Sequence, residues 1–369
     1  MPLGMDQLNC LAELALDIWE DKVFFNEKEY PAGFFATEVL NRSIDENTHL
    51  LSLGGIVRRY MEIFRVTGVL EPQLQHWAMA FLRELERVPP FSHLDLSYER
   101  DLLRILTAEG NLEILRENAP ETEESFIFYM GSHARIAQAV VNYSTVAKAL
   151  EGLYLTRLAK ANETHYARAL YDCFHNEELM NAIKEQELTD EENFSLAPEI
   201  HMSYVFVRHP KHEEETIFAS RFMFSRLVDF YTFDLFNGLR YGHAPCRCRN
   251  CGRYFLSTNR HKTKYCDGIA PQDDRYTCRE YGAKMHQKEN NENHPVYITF
   301  KTCTNTIRKH HQRGKIDDDL RRESLRLAEE YRDRALMDKN YEKDGYQKDM
   351  ERDHIYAVAK ERLGRNAVC

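Results

Sequence analysis

Apolar residues recur three or four positions apart along most of the chain, which is the spacing that buries one face of an α-helix. The segment that opens at Pro72 and ends before the Pro89-Pro90 pair is one clear case, because proline is tolerated at a helix start and ends a helix elsewhere. The pattern predicts helices at 7–20, 49–66, 71–88, 97–110, 127–160, 164–174, 176–186, 218–238, 296–313, 317–337 and 343–362.

Alternation of apolar and polar residues, which is typical of a half-buried strand, is clearest in SLAPEIHMSYVFVRHP at 195–210. The predicted fold class is therefore mainly α with a few short strands. We expect three parts along the chain. They are a mainly helical N-terminal region at 1–240, with any internal break near 89–125, a small zinc-ribbon-like unit at 241–290, and a charged helical tail at 291–369.

Aromatic residues crowd the segment predicted to be helical at 218–238. Such a group can stack on the bases of a nucleic acid, but aromatic side chains at helical spacing more often fill a hydrophobic core. We therefore predict core packing for Phe222, Phe224, Phe230, Tyr231, Phe233 and Phe236.

Composition indicates a reducing, aqueous environment. The 369 residues have a mean hydropathy of −0.59, and no apolar run approaches the roughly 18 residues that a membrane helix needs. The N-terminus has no basic segment followed by an apolar one, so we expect no signal peptide. Cysteines total nine, an odd number, and Cys10, Cys173 and Cys369 are isolated from the others. Because disulfide scaffolds spread an even set of cysteines, we expect a cytoplasmic protein with no membrane contact.

Five of the nine cysteines lie in residues 246–278. Cys248 and Cys251 are separated by two residues, which lets one tight turn aim both sulfurs at one ion, and Gly252 follows where such turns often need a positive φ. Cys266 and Cys278 supply two further thiolates. Four cysteines make a closed tetrahedral shell, so we predict one structural Zn²⁺. Cys246 is an alternative to Cys248, with a longer interval to the next cysteine.

A basic island surrounds these cysteines although the whole chain has a net charge of −10. Its cations either contact a polyanion or offset the negative charge of a four-thiolate zinc centre. His261, within the island, is an outside candidate for the third zinc ligand. The island contains ten cations against four acids: Arg247, Arg249, Arg253, Arg260, Lys262, Lys264, Arg275, Arg279, Lys284 and Lys288 against Asp267, Asp273, Asp274 and Glu280.

The motif RNCGRYFLSTNRHKTKYC followed by TCREYGAK resembles the zinc ribbon of the CGNR zinc-finger group. It is still more similar to an uncharacterised bacterial family, a domain of unknown function, whose members join a helical N-terminal region to a C-terminal CxxCGxYF…KYC…TC unit. The resemblance covers about 240–290 firmly and implies zinc ligands at Cys248, Cys251, Cys266 and Cys278. It also suggests nucleic-acid binding, as proposed for CGNR proteins. The CGNR tetrad itself is absent, and the gap between the last two cysteines is long and partly acidic.

The leading functional hypothesis is a regulatory or binding protein that contacts DNA or RNA through the basic ribbon. Lysine and arginine would contact phosphates, and tyrosine would stack on bases. The candidates are Arg253, Arg260, Lys262, Lys264, Arg279 and Lys284 for phosphates, and Tyr254 and Tyr265 for bases. The helical tail would extend this surface with Lys301, Arg308, Lys309, His310, His311 and Arg313.

Two other hypotheses stay open. In the first, zinc is only a structural staple, and the N-terminal helical region binds another protein or a small ligand. In the second, Asn293-His294 just after the ribbon belongs to a nuclease of the HNH kind. The sequence has no nucleotide-binding glycine loop, no HExxH and no GxSxG. We therefore favour a binding role over catalysis and identify no catalytic residue.

Overall fold

The computed structural model describes residues 11, 13–20, 22–108, 110–111, 121–158, 160–186, 194, 197–208, 212, 214–258, 263–289 and 294–368. The chain divides into two compact units. The first, the N-terminal unit, comprises Met1–Cys246 with Tyr254–Thr263, and the second, the C-terminal unit, comprises Arg247–Arg253 with Lys264–Cys369.

Helices make up most of the N-terminal unit. Among the helices whose two ends are both described, the longest is α2. It begins with a capping box. The Ser43 hydroxyl accepts from the Glu46 N–H, and the Glu46 carboxylate accepts from the Ser43 N–H. It ends at Gly68, whose φ of 68° suits glycine. The helices are α1 Phe34–Glu38, α2 Ile44–Thr67, α3 Gln73–Leu85, α4 Ser97–Leu106, α5 Glu121–Leu153, α6 Glu163–Phe174, α7 Glu177–Gln186 and α8 Leu227–Arg240, with 3₁₀ turns at Val39–Asn41, Phe91–His93 and Leu155–Arg157.

A five-stranded antiparallel sheet belongs to the same unit. Its strands are β1 Leu14–Trp19, β2 Lys22–Phe25, β3 Lys28–Pro31, β4 His201–Arg208 and β5 Thr216–Phe224. Their order across the sheet is β3-β2-β1-β5-β4, so β4 lies at an edge. The central pair, β1 with β5, joins segments about 200 residues apart in the chain.

One hydrophobic core unites the sheet with the helices of this unit. Leu16 and Val23 from the sheet, Phe35 from α1 and Val140 from α5 are all fully buried in it. The prediction that the aromatic residues of 218–238 pack in the core is confirmed. Phe224, Phe230 and Tyr231 are buried, and Phe222, Phe233 and Phe236 pack against the buried cluster.

A buried carboxylate fixes the start of α1. Asp234 on α8 accepts hydrogen bonds from the backbone N–H of Gly33 at 2.8 Å and of Ala36 at 2.9 Å. Gly33 has a φ of 87°, and a Cβ on Gly238 of α8 would lie 2.8 Å from the Gly33 Cα. The approach of α1 to α8 therefore requires glycine at both positions. Burial raises the pKa of the Asp234 carboxyl to about 6, against the lowering effect of its N–H donors.

The C-terminal unit and the segment that leads into it contain two small hairpins and six helices among the described residues. The strands are β6 Ala244–Arg247 with β7 Tyr254–Ser257, and β8 Ile269–Ala270 with β9 Asp273–Thr277. The helices are α9 Cys278–Glu289, α10 Pro295–Gln312, α11 Asp318–Met337, α12 Lys339–Asp344, α13 Tyr346–Asp349 and α14 Arg352–Val368.

The helices of the C-terminal unit have their own small core. Val296 and Ile307 of α10 pack with Ala328 of α11 and Ile355 of α14. The Tyr346 hydroxyl donates to the Val296 carbonyl at 3.0 Å, which joins α13 to the start of α10. This cluster is much smaller than that of the N-terminal unit, so other interactions must contribute to the stability of the C-terminal unit.

The predicted fold class is confirmed, and most predicted helices are present, but three predictions of elements are wrong. Residues 14–19 of the predicted helix 7–20 form strand β1, while 7–10 and 12 lie outside the described residues. The predicted helix 218–238 is strand β5 followed by α8. The predicted helix 343–362 is divided among α12, α13 and α14. The strand predicted within 195–210 is present as β4, His201–Arg208; residues 197–200 are not part of it, and 195, 196, 209 and 210 lie outside the described residues.

No described helix combines the length and the apolar character that crossing a membrane requires.

Candidate metal centre

Four cysteine sulfurs converge in the C-terminal unit. The Sγ atoms of Cys248, Cys251, Cys266 and Cys278 all lie within 4.8 Å of one another. The Cys251 and Cys266 sulfurs are 3.6 Å apart. A tetrahedral zinc ion with bonds of about 2.3 Å to sulfur separates its ligands by roughly 3.8 Å. The donor set and the spacing therefore fit one tetrahedral metal ion.

The first pair of cysteines lies in the turn that connects β6 to β7. The Cys248 N–H donates to the Arg253 carbonyl at 2.8 Å, and the Gly252 N–H donates to the Cys248 carbonyl at 2.9 Å. Gly252 has a φ of 75°, the left-handed conformation that glycine adopts without strain. This turn brings both sulfurs to one side, as the two-residue interval predicts.

The second pair is joined by the β8–β9 hairpin. The Cys278 N–H donates to the Gly268 carbonyl at 2.7 Å, and the Arg279 N–H donates to the Cys266 carbonyl at 3.1 Å. The eleven residues between these cysteines, a departure from the CGNR pattern, form a hairpin that returns the chain to its starting point. The long interval is therefore compatible with a compact metal site.

Cys278 is also the first residue of α9, and a capping box fixes that helix end. The Thr277 hydroxyl accepts from the Glu280 N–H at 3.2 Å, while the Glu280 carboxylate accepts from the Thr277 N–H at 2.8 Å. The positive end of the helix dipole favours a thiolate at this position. The helix thus orients the fourth sulfur, and its dipole favours the charged form against the larger opposing effect of burial.

Hydrogen bonds from nitrogen to sulfur complete the surroundings of the four thiols. The Cys266 N–H donates to the Cys248 sulfur at 3.4 Å, and the Asn250 side-chain amide donates to the Cys278 sulfur at 3.3 Å. Burial opposes ionisation of Cys248, but backbone N–H donors at 250, 251 and 266 lower its pKa overall. Burial raises the pKa of Cys266 and of Cys278. A bound cation would replace the protons that these two sulfurs otherwise keep.

Ion pairs connect the cysteine turns to helix α11. The Arg249 guanidinium lies 2.8 Å from the Asp333 carboxylate and 3.8 Å from Glu329, and the Lys264 ammonium lies 3.9 Å from Glu329. Asp333 also pairs with Arg332 at 2.6 Å, and that buried guanidinium lies over the Phe300 ring of α10. Two cations of the basic island therefore neutralise acids of α11.

The predicted nucleic-acid residues fall into several environments. Among the candidate cations, Lys264 pairs with Glu329, Arg279 pairs with Asp267 at 3.0 Å, and the Lys284 ammonium lies 4.4 Å from the centre of the Tyr276 ring. Arg253 is exposed, with no ion-pair partner in the part of the chain that the structure describes. Arg260 and Lys262 lie outside the described residues, as does His261.

The two predicted stacking tyrosines are half-buried and have structural contacts. The backbone N–H of Tyr254 donates to the Asn41 side chain at 2.7 Å, and its carbonyl accepts from the same side chain at 3.0 Å. The Tyr265 ring lies against Gly282 of α9, where a Cβ would approach it to 2.6 Å. The Tyr254 ring packs against the core of the N-terminal unit and the Tyr265 ring against α9, so each is partly covered within the fold.

Cys246 and His294 lie outside the group of four sulfurs. Cys246, the predicted alternative to Cys248, is half-buried at the end of β6. His294 immediately precedes α10, and its predicted companion Asn293 lies outside the described residues. The structure thus groups Cys248, and not Cys246, with the other three cysteines.

Three residues that contribute to the site were not predicted from the sequence: Asn250, Glu329 and Asp333. Asn250 lies between the first two cysteines. A side-chain amide at that position could have been predicted to donate a hydrogen bond to a cysteine sulfur. The two acids belong to a densely charged helix where interleaved charges predict only pairs within the helix. Nothing in the sequence singles them out as partners of Arg249 and Lys264.

Residues 195–362 match the model of a family of unknown function, DUF6076. The match includes strands β4 and β5, the four cysteines and most of the helical tail. It agrees with the expected resemblance to a domain of unknown function, whereas the similarity to the CGNR zinc-finger group stays a prediction. The comparisons with curated proteins and with solved structures each found no match.

Proposed function

We propose that the C-terminal unit is a zinc-stapled nucleic-acid-binding unit whose contact surface is helix α10 with the turn that follows it. The proposal has two parts. Zn²⁺ held by Cys248, Cys251, Cys266 and Cys278 stabilises the unit, and the exposed face of α10 contacts the nucleic acid.

Zinc is the metal that this donor set fits best. Four thiolates select a soft or borderline cation, and a tetrahedral geometry with sulfur ligands is typical of structural zinc. Such a shell leaves no open position for water or substrate, so the ion acts on the fold and not on a reaction. It joins the β6–β7 turn to the β8–β9 hairpin and α9, and so holds Arg249 and Lys264 where they can pair with α11.

The observation that carries the second part is a group of exposed cations without acidic partners. No acid interrupts the sequence from Lys301 to Lys315. Within the described residues, Arg308, Lys309, Arg313 and Lys315 have no ion-pair partner, in contrast to Lys264 and Arg279 of the ribbon. Of the three aspartates that follow, Asp317 caps α11 and Asp319 pairs with Arg322, while Asp318 pairs with Arg321 and also lies 3.2 Å from His311 of α10.

The exposed face of α10 also has the side chains that nucleic-acid contacts use. Its 18 residues span about 27 Å, a length that the major groove of duplex DNA can accommodate. Lysine and arginine contact phosphates, while asparagine, glutamine and arginine can also bond to base edges. The residues exposed along this face are Lys301, Thr302, Asn305, Arg308, Lys309 and Gln312.

Titration of a fluorescent duplex DNA with the full chain at several salt concentrations tests this proposal. We expect binding that weakens steeply with salt, because each phosphate contact releases a counterion. The double variant Arg308→Glu/Lys309→Glu should lose at least tenfold in affinity and show a shallower salt dependence. The matched control Lys343→Glu/Lys348→Glu makes the same charge change on exposed residues of α12 and α13 and should lose less than twofold.

Absence of binding at 50 mM salt (a low ionic strength, at which phosphate contacts are strong) would overturn the nucleic-acid part. An equal loss of affinity in both double variants would also overturn it, because the loss would then depend only on the net charge of the chain and not on the position of the cations. Either result would leave the zinc part intact. It would favour the second candidate function, a zinc-stapled protein whose N-terminal unit binds another protein or a small ligand.

A further inference from the structure

Strands β4 and β5 present a row of large apolar side chains to solvent. The exposed fractions of Met202, Tyr204, Phe206 and Phe218 are 53%, 68%, 71% and 66%. The first three alternate along β4 and therefore share one face of the sheet. Phe218 lies opposite Phe206 on β5, with the ring centres 4.8 Å apart, so it lies on the same face.

This face continues the one that the sheet buries in its own core. Along β5, Phe224 is buried, Phe222 packs on Phe233 of α8 with ring centres 4.7 Å apart, and Phe218 is exposed. The apolar face thus extends past the edge of the core onto β4, which has no further strand beside it among the described residues. Soluble proteins rarely leave an apolar edge of this kind uncovered.

The exposed area is large enough to contribute to a specific interface. Aromatic side chains have roughly 150–250 Å² of surface each, so the exposed fractions of Tyr204, Phe206 and Phe218 amount to about 400 Å², and the half-exposed Met202 enlarges this area. Contiguous apolar patches of more than about 400 Å² mark interaction sites more often than chance exposure. Two such patches packed together would bury about 1,000 Å², near the lower end of stable interfaces, before any surrounding contacts are added.

The charges around the face favour an apolar partner. Arg208, at the end of β4, is the one charged residue among the described positions of this face, which comprise Met202, Tyr204, Phe206 and Arg208 on β4 and Thr216, Phe218, Ser220 and Phe222 on β5. The exposed acids Glu214 and Glu215 precede β5 and would repel a nucleic acid that approached these rings. A face with almost no charge offers few groups by which a different protein could recognise it selectively. The same face on a second copy of the chain is apolar too and is therefore complementary to it.

We infer that a second copy of this chain covers this face, so that the protein is a homodimer joined through β4 and β5. In a two-fold arrangement each patch contacts the same patch of its partner, and this is the commonest symmetry of soluble oligomers. Phe206 and Phe218 of each copy form the centre of the contact, with Tyr204 and Met202 beside them. Sheets that pack face to face in this way lie about 10 Å apart.

Sedimentation velocity of the full chain at 1–100 µM, a range of concentrations in which moderate protein interfaces assemble, tests the inference. We expect a dimer that becomes a monomer in Phe206→Ser/Phe218→Ser, with a dissociation constant raised at least 100-fold. Because these rings are exposed, circular dichroism and the melting temperature of the monomer should change little. The control Val66→Ser/Ile105→Ser removes exposed apolar residues elsewhere on the N-terminal unit and should leave the dimer unchanged.

A second pair, Met202→Asp/Tyr204→Asp, places like charges opposite each other and should also abolish the dimer. A wild-type chain that stays monomeric at the highest concentration would overturn the inference, and a partner of another kind would then have to cover the face. A dimer that survives both double variants would overturn it equally, because the contact would lie elsewhere. None of these outcomes bears on whether α10 binds nucleic acid.

Discussion

The Arg249 guanidinium, one residue past the first metal-ligand candidate, lies 2.8 Å from the carboxylate of Asp333, which is 84 residues further along the chain. This contact joins a turn that the metal would shape to a helix that has no cysteine of its own. It shows how a four-cysteine site can stabilise the helical tail without touching it.

Arg249→Ala should destabilise the C-terminal unit by about 1 kcal/mol, the upper end for a partly exposed ion pair. Asp333 would keep its contact with Arg332, so no buried charge is left alone. Thermal unfolding and the rate of zinc release measure the effect. Arg253→Ala is the control, since that exposed cation of the same turn has no acidic partner among the described residues. Equal effects of the two variants would argue against the contact with α11.

Cys278→Ser should abolish stoichiometric zinc binding, whereas Cys246→Ser should leave one zinc ion per chain. Replacing one of four thiolates removes both a ligand and the charge that the metal offsets, while Cys246 lies outside the group of four sulfurs. Metal content of the purified variants, measured by mass spectrometry, decides the matter. Loss of zinc in Cys246→Ser with zinc retained in Cys278→Ser would mean that the ligand set is wrong.

Gly238→Ala should destabilise the N-terminal unit by about 2–3 kcal/mol, because the added methyl group would meet backbone atoms of Gly33 and Ala32 that cannot move aside. Gly131→Ala on α5 is the matched control. A Cβ there meets nothing within 4 Å, so the better helix propensity of alanine should stabilise by about 0.5–1 kcal/mol. Urea unfolding measures both, and the same sign for the two variants would contradict the close approach of α1 and α8.

Asp234 should make stability fall as the pH rises. Burial raises its pKa from 3.8 to about 6, so the folded state holds its proton more tightly than the unfolded state. The stabilisation is complete below about pH 4 and is lost as the pH rises through 6, by about 3 kcal/mol for a shift of two units. The difference in unfolding free energy between wild type and Asp234→Asn should therefore change by that amount between pH 4 and 7. A constant difference across this range would contradict the raised pKa.

Local patterns predicted the parts of the fold that depend on neighbouring residues. Helices such as α3 and α11 have periodic apolar faces and clear boundaries. The two-residue interval between Cys248 and Cys251, followed by Gly252, likewise predicts a tight turn from neighbouring residues alone. Strand β1 was mistaken for a helix because LNCLAELALDIW fits both periods. Its pairing with β5 depends on residues 200 positions away, which no local pattern records. The same long-range pairing made Thr216–Phe224 a strand and not the first turns of a helix.

The candidate metal site shows the same division. Its four cysteines were predicted from their spacing and from the resemblance to zinc ribbons, because metal binding restricts which residues can be ligands and how they are spaced. The role of the surrounding cations was not predicted, since Arg249 and Lys264 meet Glu329 and Asp333 only in the folded unit. Charge counting along the sequence placed the basic surface on the ribbon, whereas within the described residues Lys264 and Arg279 of the ribbon pair with acids and Arg308 and Lys309 of α10 have no ion-pair partner.

The most direct test of the zinc staple combines metal content with hydrogen exchange of the full chain before and after chelation. The account predicts one zinc ion per chain as purified. It also predicts that chelation accelerates amide exchange in residues 247–289 and in α11, while α5 in the core of the N-terminal unit stays protected. A chain that contains no zinc, or one whose exchange pattern is the same with and without the metal, would contradict it.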